Sequence, residues 1–246
     1  MMTIPSISIP MWTPLYNPPP HRFHDCKRIM LLCAAEPGRV QKLLPAPLES
    51  TGDFVFISWL KIGEVEGYLG SCNIAINFPC RYGEAIGKTC ALEYIDVDMG
   101  LAAGREMWPW PKKGGDFVWN ETDKGIHLEC SRRGDLLFTS DVTFRQEQLS
   151  ENWPEKYGAP DIGANNLQVR HIGNSHAEKP HTAEVLQVSY PNSLLHSSVA
   201  VDATLDITSG PRDSMSELGP LRVVAARYDH QEFDFDLGRV IGSHAL

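Results

Sequence analysis

Residues 104–115 read GREMWPWPKKGG, and the fold is read from this stretch and what flanks it. Two adjacent lysines, Lys112 and Lys113, follow the most apolar and stiffest short segment of the chain. Pro109 and Pro111 fix their own φ and disfavour helix at Trp108 and Trp110, which predicts an extended lead-in. If Lys112 and Lys113 continue that path, their side chains point to opposite faces, one inward and one outward. Gly114 and Gly115 then permit a turn or a close backbone approach. A lysine enclosed by Trp and Pro loses hydration, and desolvation disfavours its charged form. Depressing an amine's pKa by three units costs ~4 kcal/mol, a large share of a net stability of ~5–15 kcal/mol. Such a cost is kept where a neutral amine attacks a carbonyl to form a Schiff base. The alternative is a strand end with two solvated lysines whose stems lie along aromatic rings.

Outward from this stretch the pattern is β. DFVFISWLKI, SCNIAINFPCRY, KTCALEYIDVD, DFVWN, GIHLECSRR, DLLFTSDVTF, AEVLQVSY, SVAVDATLDI and RVVAARYDHQEFDFD are strand-like runs separated by Gly, Pro, Asn and Asp. IMLLCAA from Ile29 is a further apolar run of strand length. Helices are few: EPGRVQKLLP, opened by Pro37 and ending before Pro45, and DVDMGLAAGREM. Residues 146–180 are polar with Pro and Gly and read as a long loop or insertion. His171, His176 and His181 fall there, five residues apart, which is not the helical i, i+4 spacing of a zinc pair. Residues 1–24 read as an extended Pro-rich arm lying across the domain or a neighbouring subunit, and residues 25–246 as one domain. Many closely spaced strands with few helices predict a mainly antiparallel β-barrel or sandwich.

Composition narrows the function classes. With 246 residues, 42% hydrophobic, the chain can bury a sizeable core as a single domain. A net charge of −9 and the lack of a basic stripe argue against nucleic acid as partner. No apolar run approaches the ~18 residues of a membrane span, and the start lacks the basic and apolar regions of a secretory leader. Six cysteines without C-x-x-C spacing predict reduced, mostly buried thiols in a cytoplasmic protein.

Gly104-Arg105-Glu106, four intervening residues and Pro111-Lys112-Lys113 resemble the motif of the acetoacetate decarboxylase family. ALEYIDVDMGLAAGRE resembles the segment before that motif, and CAAEPGRVQKLLPAPLES and LGPLRVVAARYDHQEFDFDLGRVI resemble early and closing segments, so the likeness runs from about Cys26 to the end. The resemblance implies a β-barrel, a homo-oligomer, and Lys112 as nucleophile with Lys113 as its neighbour. It implies a Schiff-base reaction on a keto acid, most directly decarboxylation of a β-keto acid, needing no metal and no organic cofactor because the iminium is the electron sink. The same lysine in related enzymes implies a second option, aldol condensation, dehydration or cyclisation of a larger keto substrate. A non-catalytic barrel binding a small ligand is the third.

The chain departs from the family's pattern. Its strand arginine falls at Cys26, with Arg28 two residues on and on the same face. The two pocket glutamates fall near Ser58 and near Gly70 or Ser71, and neither Glu64 nor Glu66 fits without a gap. Glu93 is the candidate replacement. In an extended strand it shares a face with Ile95 and Val97, where a raised pKa would suit a proton shuttle; the alternative is a charge paired at a strand edge. Arg28, Trp110 and Tyr228 are the candidate substrate-binding residues, and Trp59, Trp108, Trp110 and Trp119 are expected near the site.

Overall fold

The computed structural model describes residues 8, 10, 12–63, 70–148, 153–162, 165–172 and 182–245. Its strands are β1 (His21–Ala34), β2 (Glu49–Ser50), β3 (Phe54–Ile62), β4 (Ser71–Tyr82), β5 (Ala85–Ile95), β6 (Lys112–Gly114), β7 (Asp116–Glu121), β8 (Gly125–Arg132), β9 (Asp135–Gln148), β10 (Asn166–Ile172), β11 (Thr182–Val188), β12 (Leu194–Ala203), β13 (Asp206–Ile207), β14 (Arg222–Phe235) and β15 (Arg239–Ala245). Two short helices, α1 (Arg39–Leu43) and α2 (Asp98–Met107), interrupt them. The strands form one sheet in the order β15-β11-β10-β5-β4-β3-β1-β14-β12-β9-β8-β7. Pairing is antiparallel except where β5 meets β10 and β6. Among the described strands no pairing joins β15 to β7, so the expected mainly β, antiparallel architecture is present but the sheet is an open path and not a closed barrel.

The central strands are covered on both faces, which is why their sequences are apolar at consecutive positions. In β1, Ile29, Leu31 and Cys33 enter the largest core with Ile57 and Trp59 of β3 and Ile74 and Ile76 of β4. Met30 and Leu32 face the other way, packing with Phe56 and Trp153. The second face is where the sheet keeps its polar side chains and its cavity.

Several boundaries differ from the sequence reading. β1 starts at His21, which pairs with Phe235, so residues 21–24 of the arm belong to the sheet. Residues 166–172, read as loop, form β10 because β11 offers them a complete antiparallel partner. His171 therefore sits in a strand, while His176, His181, Glu64 and Glu66 lie outside the described residues. All six cysteines are free and five are buried. Burial pushes the Cys26 and Cys33 thiols up to about 12. No helix among the described residues is long and apolar enough to cross a membrane.

Candidate active site

The segment 104–115 places Lys112 by a series of short-range contacts. Helix α2 presents Gly100, Ala103 and Gly104 as its buried face, a one-turn spacing of small residues that lets it lie close to its neighbours. At Gly104 the reason is specific: a Cβ there would stand 2.5 Å from Lys112 Cε and 2.6 Å from Cδ, so the glycine makes the channel along which the lysine side chain runs. Arg105 donates from Nη1 to the Lys112 carbonyl at 3.0 Å. Glu106 accepts the Tyr16 hydroxyl at 2.6 Å, which straps the N-terminal arm to the helix. Gly104 and Arg105 thus contact the lysine itself, and Glu106 holds the arm against the helix that precedes it.

The Trp-Pro-Trp-Pro segment is not the extended lead-in expected from its prolines. Trp108 closes α2 with φ −115° and ψ 17°, and the Trp110 N–H donates back to the Gly104 carbonyl at 2.8 Å. The Lys112 N–H then donates to the Trp110 carbonyl at 2.8 Å, a tight turn centred on Pro111. The chain leaves this turn to pair in parallel with β5, Glu93 opposite Lys112 and Tyr94 opposite Lys113.

Alternation then separates the two lysines. Lys112 faces a cavity lined by Glu93, Ile95, Trp108, Trp110, Tyr190 and Phe235, among others. Its Nζ is 3.3 Å from Glu93 Oε1, and both side chains are largely buried. Burial raises the pKa of the Glu93 carboxyl, with the Lys112 ammonium opposing the rise. Among the described residues, Glu93 is the only acidic side chain lining this cavity or the chamber that continues from it. Lys113 points the opposite way, where its Nζ donates to Asp213 at 2.6 Å. Tyr94 and Arg132 donate to the same carboxylate, at 2.7 and 3.4 Å. Burial alone would raise the Asp213 pKa, but these donors outweigh it and hold it below the usual carboxylate value. Lys113 was expected beside Lys112 as a catalytic residue, but it lines neither chamber of the cavity that Lys112 faces.

Arg28 and Trp110 line the second chamber, with Lys88, Ser58 and Asn73. Arg28 is held by Asp229 at 3.0 Å from Nε and 2.6 Å from Nη2, its cross-strand partner on β14. Of the positions matched to the family's glutamates, Ser58 faces the second chamber and Ser71 the first, while Gly70, the alternative to Ser71, lines neither. Tyr228 does not line either chamber: on β14 it alternates with Arg227 and Asp229 and packs against Phe144 at 5.3 Å between ring centroids. Trp59 and Trp119 are likewise on the core side, Trp59 donating to Ser140 Oγ at 3.1 Å, so only Trp108 and Trp110 of the expected four tryptophans reach the cavity. His21, Lys88, Tyr190 and Asp213 were not singled out from the sequence. Asp213 follows a TSGPR turn with no periodicity to betray its burial, and the others become cavity residues only once the sheet order is known.

Comparison with known proteins agrees with this fold. Residues 8–244 match the family described as acetoacetate decarboxylase (ADC). An acetoacetate decarboxylase of Clostridium beijerinckii is 26% identical over 236 residues, covering 94% of this chain and 92% of that protein. The crystal structure of acetoacetate decarboxylase from Legionella pneumophila superposes with a TM-score of 0.86 at 15% identity, covering 99% of this chain and 94% of that one. The enduracididine biosynthesis enzyme MppR, complexed with the condensation product of pyruvate and imidazole 4-carboxaldehyde, superposes with a TM-score of 0.81 at 14% identity, covering 97% of each chain. With the lysine, its motif and the fold in agreement with a match over nearly its whole length, the chain belongs to the acetoacetate decarboxylase family.

Proposed function

We propose that Lys112 is a Schiff-base nucleophile acting on a keto acid, and that the reaction is decarboxylation of a β-keto acid. The observation that carries this reading is the Lys112–Glu93 pair, 3.3 Å apart at the wall of a largely apolar cavity. The amine bonds to the carbonyl carbon and the carbonyl oxygen leaves as water. The iminium then draws the electron pair of the breaking C–C bond as CO2 departs, giving an enamine. Protonation of the enamine carbon by Glu93, whose pKa burial raises, regenerates an iminium that water hydrolyses to ketone and free lysine. The family's paired glutamates match near Ser58 and near Gly70 or Ser71 here, and in this reading Glu93 takes over the proton work.

A second reading uses the same iminium for condensation or dehydration of a larger keto substrate. Its support is the aromatic wall formed by Phe23, Trp108, Trp110, Tyr190, Phe233 and Phe235, together with the likeness to MppR. We also propose that the chain acts as a homo-oligomer. Borohydride reduction in the presence of β-keto and α-keto acids, followed by peptide mass spectrometry across residues 106–131, tests the chemistry. An adduct on Lys112 lacking the mass of CO2 is expected for decarboxylation, and an adduct retaining it for condensation. In Lys112→Arg no adduct should form. No adduct with any carbonyl in folded wild-type protein would leave the chain a ligand-binding member of its family.

A further inference from the structure

The cavity does not end at Lys112. Its two chambers share Leu60, Asn73, Glu93, Trp110, Tyr190 and Phe233, and the chamber away from Lys112 contains Lys88. A register shift in the β4–β5 pairing brings Lys88 there: Asn77 pairs with Cys90 and Ile76 with Leu92, leaving Ala91 as an extra residue. One bulged residue inverts the parity of a strand, so Lys88 and Cys90 face the same side as Glu93. The Cys90 thiol donates to Glu93 Oε2 at 4.0 Å, as that shared face requires. Lys88 and Glu93 pair with Pro79 and Ala75, four residues apart on β4. At ~3.4 Å per residue the two positions lie on the order of 13 Å apart along the sheet.

Lys88 is poorly neutralised. No carboxylate among the described residues pairs with its Nζ, which stands 5.9 Å from the centre of the Tyr190 ring. Arg28 and Arg227 both engage one oxygen of a single fully buried carboxylate, Asp229 Oδ2, at 2.6 and 3.1 Å. Burial, then the positive charges of Arg28 and Arg227, push the Lys88 amine down to about 7, with Cys90 the one neighbour acting in the other direction. An anion entering this chamber would reverse the penalty by supplying the missing counter-charge.

We propose that Lys88, beside Arg28, is an anion-recognising group, and that the substrate is a keto acid carrying a second carboxylate several carbons from the carbonyl held at Lys112. This rests on the Schiff-base reading for the carbonyl end only; the anion end is tested without it. The first measurement is the concentration of acetone, 4-oxopentanoate, 5-oxohexanoate and 6-oxoheptanoate that half-saturates borohydride trapping on Lys112. The proposal expects at least one oxo-carboxylate to half-saturate roughly tenfold or more below acetone, the scale of one lost charged hydrogen bond. Lys88→Met should collapse that ratio to about one, and Lys88→Arg should retain most of it. The second measurement is calorimetric titration with glutarate, which has no carbonyl. Wild type should bind it with uptake of a proton at pH 8, seen by comparing two buffers, and Lys88→Met should bind at least tenfold more weakly. A wild type with no preference over acetone, a Lys88→Met protein that keeps the preference, or an adduct formed on Lys88 itself overturns the proposal. If no probe is trapped on Lys112 the Schiff-base reading fails, and the glutarate titration alone decides the anion site.

Discussion

Glu93 and Lys112 meet because β6 joins β5 in parallel at a single register, and the contact leaves each dependent on the other. Replacing Glu93 by Gln keeps the shape and removes the proton, so turnover should fall about 10²-fold while borohydride still tags Lys112. Unchanged turnover would remove Glu93 from the mechanism. The pH dependence has a definite sign: Glu93 donates in its protonated form, and burial raises its pKa, so the rate should fall as pH rises through that value. Gly104 offers a complementary test. The three atoms nearest a methyl group there all belong to the flexible side chain of Lys112, so Gly104→Ala should redirect the lysine and spare the fold. Trapping should be lost while the melting temperature stays within a few degrees of wild type, because Ala favours the helix over Gly by ~1 kcal/mol. A variant that unfolds would show instead that the glycine serves packing.

At the scale of the element, the two lysines of β6 are fixed from both sides of the sheet: Lys112 by Gly104 and Glu93, Lys113 by Asp213. Asp213→Asn leaves Lys113, Tyr94 and Arg132 short of a charged acceptor and should cost about 3 kcal/mol at pH 7, near the lower end for breaking a buried pair because Lys113 is partly exposed. Asp213 has a folded pKa below its unfolded one, so its contribution is present above about pH 4 and is lost as pH falls through the folded value. Chemical denaturation of wild type and variant should therefore converge in acid; a gap that persists unchanged at low pH would assign the effect to packing. The limits of sequence reading also lie at this scale. The opposed facing of Lys112 and Lys113, the cavity-facing side of Arg28 and both helices follow from short-range signals, which β6 and β1 obey and residues 108–111 do not. Lys88 was hidden because counting by twos from Glu93 puts it on the wrong side; only the extra residue at Ala91, visible in the pairing with β4, corrects the parity. Tyr228 was misplaced for the opposite reason, since a strand motif names two faces and says nothing of which one meets the cavity. The closure of the sheet was equally illegible, being a property of long-range pairing.

On the scale of the molecule, the sheet order brings residues from β1, β3, β4, β5 and β14 to one cavity, with the arm laid over α2 through Tyr16. That arm carries Trp12, 86% exposed, and Leu237 and Val240 are also exposed near the C-terminus. A homo-oligomer would cover part of this apolar surface. Sedimentation equilibrium of the full chain should give a mass that is a multiple of 27.4 kDa, and a monomer at micromolar concentration would contradict the proposal. The sheet itself has a further consequence. Its central strands send Ile29, Ile57, Trp59 and Ile74 to one side and Arg28, Ser58 and Asn73 to the other, so neighbours in the chain serve separate tasks. The backbone thus separates a face given to packing from one that divides its positions between packing, at Met30, Leu32 and Phe56, and the lining of the cavity. Substitutions at 58, 71 or 73 should therefore reshape the cavity without drawing on the packing of the opposite face, which lies one residue away.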